Sequence, residues 1–110
     1  MPRLGTQIVT IAQGTTVSSA INLRAATSAL VVPAGTLTGG TVSYQASADG
    51  GSTWTAVRDA AGAVLATAVP AGSVVAWPLP EALLGASAVR LVSNAAEGAA
   101  RTFSVLVAGR

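Results

Sequence analysis

The sequence predicts an all-β protein: a single β-sandwich of about eight short antiparallel strands over residues 1–110, jelly-roll-like, with at most one short helical turn. Three observations carry this. Apolar and polar residues alternate with period two in segment after segment, as strands with one buried face require. Turn residues punctuate the chain at roughly the 8–12-residue spacing of a sandwich or barrel. The apolar fraction, 51%, is weighted toward Ala and Val, and only one short segment carries helix start and stop signals.

The elements follow in order. Gln7–Ile11 opens as a strand and Gln13-Gly14 turns it. Ser19–Leu23 alternates again, with Ile21 and Leu23 on one face. Ala29–Val32 is a continuous apolar run stopped by Pro33, the pattern of a strand buried on both sides or of a short helical turn. Thr41–Ala46 alternates, reverses through Ser47–Trp54, and resumes in Thr55–Val57. Asp59–Gly62 is the next turn, followed by Ala63–Val69, the Pro70–Gly72 turn and Val74–Trp77. Pro80–Leu84 before Gly85 is the helical candidate: Pro opens it, Glu81 sits in its first turn and Gly ends it. Ala88–Val92 and Arg101–Val107 flank a loop from Asn94 to Gly98. No linker or second domain interrupts the pattern.

The sharpest local signal is Ser47-Ala48-Asp49-Gly50-Gly51-Ser52-Thr53-Trp54. Gly50 and Gly51 supply the positive φ that a tight reversal needs, and the Asp49 carboxylate can accept bonds from the loop's own amides. With Thr53 and Trp54 the segment fits Ser-x-Asp-x-Gly-x-Thr-Trp and resembles the Asp-box hairpin of sialidase-type propellers. A propeller repeats the box in every blade, and this chain has one copy, so Ser47, Asp49, Gly50, Gly51, Thr53 and Trp54 are read as a structural hairpin. Trp54 and Val57 have opposite parity: either a bulge intervenes or one of them faces outward. The expectation for Trp54 is a core residue capping the hairpin. Trp77 is also expected in the core, with surface contact as the competing reading.

Charge is scarce. Six arginines and four acids make 9% of the chain, against about 25% in ordinary soluble domains. A chain of this mass exposes roughly 5,500 Å², so most of that surface is Ala, Val, Thr, Ser and Gly, which suits packing against neighbours. The arginines are scattered and no aromatic residues interleave them, which argues against a nucleic-acid partner. The uncharged stretches are broken by Pro and Gly, which argues against a membrane helix. The first seven residues lack the apolar run of a signal peptide.

Catalysis has few materials. The chain has no His, Lys or Cys, so Ser–His, Cys–His and Ser–Lys nucleophile arrangements are unavailable. Asp49, Asp59, Glu81 and Glu97 remain for carboxylate chemistry or calcium, and each sits where a turn or helix start already needs it. The expectation is no catalytic residue, no metal, no cofactor and no enzyme.

Taken together, Ile8–Ser18, Val42–Trp54, Asp59–Gly62, Leu79–Gly85 and Val89–Ser93 resemble small accessory structural proteins of tailed bacteriophages and related gene transfer agents. The resemblance implies a compact β-domain on a capsid, head fibre or neck, present in many copies or as a homo-oligomer, bound to major capsid or other virion proteins. It implies localisation in the virion, assembled in the host cytoplasm. Trp77, Arg24, Arg58 and Arg90 are candidate partner contacts. The competing class is a carbohydrate-binding or adhesion sandwich with Trp54, Trp77 or Tyr44 stacking on a glycan.

Overall fold

Alternating sequence becomes two packed sheets. The computed structural model describes residues 3–23, 26–70 and 72–109, with the Arg3 and Leu4 side chains left aside. Arg24, one of the candidate contacts, lies outside the described residues. The strands are β1 (Arg3–Ile11), β2 (Ile21–Asn22), β3 (Ala26–Pro33), β4 (Thr41–Ser47), β5 (Thr55–Ala56), β6 (Ala66–Ala68), β7 (Trp77–Pro78), β8 (Ala88–Ser93) and β9 (Arg101–Gly109). One sheet has the order β1-β9-β3-β7; the other runs β2-β8-β4-β5, with β6 also on β4. All pairings are antiparallel.

The pairing follows a simple rule. First pairs with last, β1 with β9; then β2 with β8, β3 with β7, and β4 with β5 and β6. The chain is thus one long hairpin, doubled back at the Asp49 turn and rolled up so that β9 meets β3 and β8 meets β4. That is the jelly-roll arrangement. The strand opposite β4 is in two pieces, which raises the count to nine. Residues 55–56 pair with 45–46, the chain leaves the sheet as a small tongue, and residues 66–68 pair with 41–43. The tongue closes on itself through the Arg58–Val64 bridge and the bond from Leu65 N to the Val57 carbonyl.

Side chains pointing between the sheets form the core: Val9, Ile11, Val31, Phe103, Val105 and Val107 from one, Ile21, Val42, Tyr44, Val89 and Leu91 from the other. Leu37, Val69, Leu79 and Leu83 close the ends. The helical candidate is a single 3-10 turn, Glu81–Gly85, with Pro80 before it and Leu83 as its buried plug. Where the Val74–Trp77 run was expected to be a strand, only Trp77 pairs, together with Pro78; Val74 and Val75 are exposed. β3 departs from its expected double burial. Val31 is fully buried, but Leu30, on the opposite face, is 38% exposed because no layer among the described residues covers that side of the sheet.

Trp77 is a core residue, and its reading as a partner contact is corrected. It is 5% exposed, its ring meets Phe103 edge-on at 6.3 Å, and its Nε1 donates to the Tyr44 hydroxyl at 2.9 Å. Tyr44 shares a second hydrogen bond with Thr67. Burial pushes the Tyr44 phenol above its ordinary pKa, and both hydrogen bonds oppose the shift. This triad joins a strand of each sheet and satisfies the polar atoms that two buried aromatics bring inside. Trp77→Ala should cost about 3–5 kcal/mol, and Tyr44→Phe, which leaves the indole N–H without its acceptor, about 1–3 kcal/mol. Urea melts of both variants check this; unchanged midpoints would contradict it.

Candidate functional site

The end of the sandwich formed by the β4–β5 turn holds the richest side-chain arrangement. Asp49 folds the turn around its own carboxylate. Oδ1 accepts from Ser47 Oγ at 2.7 Å, from Ser52 N at 3.1 Å and from Thr53 N at 3.0 Å; Oδ2 accepts from Thr53 Oγ1 at 2.8 Å. Ser47 Oγ in turn accepts from the amides of Asp49 and Gly51 at 3.3 and 2.8 Å. Gly50 and Gly51 have φ of 77° and 109°, backbone that residues with a Cβ rarely adopt. Ser87, just before β8, ties the turn to the body: its Oγ accepts from Gly50 N and donates to the Ser47 carbonyl. The six residues read as a structural hairpin are therefore brought together. Bonds from the Ser47 hydroxyl and from the Thr53 amide and hydroxyl hold the Asp49 carboxyl well below the usual carboxylate range.

Trp54 is not in the core. It is half-buried and lies across the turn, with a ring carbon 3.6 Å from where a Cβ on Gly51 would stand. The opposite parity of Trp54 and Val57 needs no bulge: Val57 packs inward against the core and Trp54 stays outside. The Arg90 guanidinium sits over the Trp54 ring at 4.6 Å, and its Nε donates to Gln45 Oε1 at 2.6 Å. Gln45 and Arg90 are cross-strand partners on the outer face of the sheet, so strand register builds this stack. Gln45 carries no signal in the sequence that would mark it.

A groove of about 630 Å³ adjoins the turn, lined by Leu23, Ala46, Ser47, Thr53, Leu84 and Ser87 among others. Its lining has neither charge nor aromatic ring. With Tyr44 at 1% and Trp77 at 5% exposure, two of the three aromatics considered for a glycan platform lie inside the protein. The third lies under an arginine.

The opposite end is organised by Glu97, which sequence reading placed in a loop without recognising its burial. It is 1% exposed. Its oxygens accept from Thr38 N at 2.7 Å, Gly39 N at 3.1 Å, Ser93 Oγ at 2.6 Å and Arg101 Nε at 2.9 Å. Its own backbone bonds residues 14 and 15, so one residue gathers three loops. The spacing Ser93–Glu97–Arg101 was the available signal. Burial pushes the Glu97 carboxyl up, but the bonds from Ser93, Thr38, Arg101 and Gly39 outweigh it and lower it from 4.5 to about 2. Gly39 has no room for a side chain, since a Cβ there would stand 2.3 Å from Asn94 Oδ1.

Asp59 and Arg58 are also engaged. Asp59 Oδ1 accepts from the amides of Ala61 and Ala63, and Arg58 Nη1 donates to the Gly62 carbonyl. Arg58 is exposed on the tongue; Arg90 is half-buried in its stack. Among the described residues no three His, Cys, Asp or Glu side chains come together as a metal site, and no described helix is long and apolar enough to cross a membrane.

Three outcomes follow from this geometry. Glu97→Ala strands two amides and a buried hydroxyl and should cost roughly 3–5 kcal/mol. Because the folded pKa of Glu97 is depressed, its stabilisation is complete above pH 4.5 and fades as pH falls toward 2. The gap between wild-type and variant denaturation midpoints should therefore narrow across that window; a constant gap would contradict it. Asp49→Ala should speed hydrogen exchange at the Gly51, Ser52 and Thr53 amides, read by NMR, while β9 amides stay protected. Trp54→Ala should cost only about 1 kcal/mol, the scale of an exposed cation–π contact, and a core-sized loss would contradict its outward placement. Comparison with family models, with curated proteins and with solved structures returned no match.

Proposed function

We propose that this chain is a non-enzymatic virion structural protein, a capsid decoration or head-fibre module that binds a tailed-phage particle through a low-charge β-sandwich surface. The observation that carries this is where the charges go. Of the seven charged side chains described, six make hydrogen bonds within the chain: Asp49, Arg58, Asp59, Arg90, Glu97 and Arg101. They hold turns and loops in shape. The seven are thinly spread over a surface of 5592 Å², so docking against protein strips few charges of water.

Two further points support the reading. Jelly rolls serve repeatedly as capsid and lectin domains, which is an analogy of architecture only. The Asp49, Asp59 and Glu97 carboxylates are engaged by backbone amides, hydroxyls and Arg101, which supports a structural over an acid–base role for them. The major capsid protein or another virion protein is the proposed partner, and Arg58 and Arg90 are the proposed contacts with acidic groups at its rim.

Mixing the purified protein with undecorated capsids and imaging the particles tests the proposal. Saturable density at symmetric positions on heads, necks or fibres is expected. Particles that stay bare at saturating protein would overturn it, and binding to a glycan array in their place would favour the adhesion reading.

A further inference from the structure

We propose that Arg90 is a carboxylate-binding site, its guanidinium held by Trp54 and Gln45 so that Nη1 and Nη2 take an acidic side chain of a protein partner. This rests on reading Arg90 as a partner contact and adds the chemistry of what it contacts. The guanidinium lies over the Trp54 ring, 4.6 Å from its centroid, within the range of a cation–π contact. Its Nε donates to Gln45 Oε1 at 2.6 Å. Strand register brings all three together. Gln45 stands opposite Arg90 on β4, and Ala56 stands opposite Gln45 on β5. Trp54, two residues before Ala56, therefore falls on the same outer side of the sheet.

A ring beneath and a bond at Nε fix the plane and the direction of the guanidinium, and they leave its far edge open. Nη1 and Nη2 have no hydrogen-bond partner among the described residues. That edge is the fork that meets both oxygens of a carboxylate in parallel bonds. No described acid fills it. The ion pair among the described residues is Arg101 with Glu97, at the other end of the sandwich. Asp49, in the turn that Trp54 crosses, has both oxygens bonded inside that turn. An unsupported arginine gives up rotamer freedom when it grips a ligand; here Trp54 and Gln45 have already restricted it. Arg58 is the contrast. It is exposed on the tongue, its Nη1 donates to the Gly62 carbonyl, and no described ring lies against it.

A recess of about 280 Å³ adjoins the stack, lined by Ala20, Asn22, Gly50, Ser87 and Ala88. Ala88 is two residues before Arg90 on the same side of β8, and Ala20 precedes the Ile21–Val89 pair, which sets it across from Arg90. These walls are small and uncharged, so they leave room for the stem and backbone that carry an acidic side chain. An acidic sugar fits less well, because Arg90 already covers a face of Trp54 and the recess has no ring for stacking.

NMR titration at constant ionic strength is the test, following the Nε–H signals of Arg90 and Arg58 and the Trp54 indole N–H. The probes are N-acetylglutamic acid α-amide and glucuronic acid; the proteins are the wild type, Arg90→Lys and Trp54→Ala, with thermal melts to show that each is folded. The glutamate probe should shift Arg90 and Trp54 saturably, at a concentration at least about tenfold below that which shifts Arg58. Arg90→Lys keeps the charge but loses the fork, and Trp54→Ala keeps the fork but loses its support; each should weaken binding about tenfold. Arg90 and Arg58 responding alike would overturn the proposal, as would Arg90→Lys binding like the wild type. Tighter binding of glucuronic acid would replace the protein partner with an acidic glycan. Capsid binding separates this site from the virion reading. Particles left bare by a protein that takes the glutamate probe remove that reading and keep the site. Particles decorated equally by the wild type and Arg90→Lys keep the reading and overturn Arg90 as its carboxylate contact.

Discussion

The constraint on which this fold depends is the reversal at Asp49. Every strand pair joining the two halves of the chain, from β4 with β5 out to β1 with β9, presupposes that residues 48–53 turn the chain back in register. The turn is shaped by short-range bonds from one carboxylate and the Ser47 and Thr53 hydroxyls and by two glycines at positive φ, with Ser87 tying it to the body. Its closure entropy is small because the loop is short. Successive pairs close longer loops, each doubling adding only about 0.6 kcal/mol. The outermost pair, β1 with β9, is nonetheless the most remote in sequence, and such pairings are slow to form. A rigid centre lets the remaining pairs follow from a single register.

The two ends of the sandwich solve one problem by two means. Turns and loops at the ends of the strands leave backbone amides without ladder partners, and these amides must find other acceptors. At one end the acceptor is an exposed Asp held by its own turn; at the other it is a buried Glu that gathers loops from three places in the sequence. Arg101 and the Ser93 hydroxyl offset the desolvation that Glu97 incurs. Of the charges so committed only Glu97 leaves the surface; the low charge of the exterior follows from a composition with 9% charged residues.

Much of the architecture was legible in the residues. Period-two alternation marked β1, β4, β8 and β9, Pro80 and Gly85 bracketed the one helical turn, and Asp49 with its glycines announced the hairpin. These are local effects, written in neighbouring residues. Harder to read were the strands that pairing alone defines. Ala63–Val69 looked like one strand, yet its first residues form the side of the tongue and only Ala66–Ala68 pair with β4. The apolar run Ala29–Val32 had the composition of a doubly covered strand, but composition cannot report whether a second layer exists.

By itself, then, the sequence determined the fold class, the central turn, and the lack of His, Lys and Cys that narrows the available chemistry, since each depends on residue identity or short-range spacing. Only the tertiary structure decided which aromatic is inside. Trp77 follows strand-like residues and Trp54 precedes them, and the difference between them is the side of the sheet on which each lies. Trp77 meets Tyr44 and Phe103 between the sheets, while Trp54 meets Arg90, a residue 36 positions away, on the outside. Tertiary structure likewise buried Glu97 and left Ile8 and Leu30 exposed on the outer side of their sheet. Burial is a property of distant segments brought together by pairing, and no window of neighbouring residues contains it.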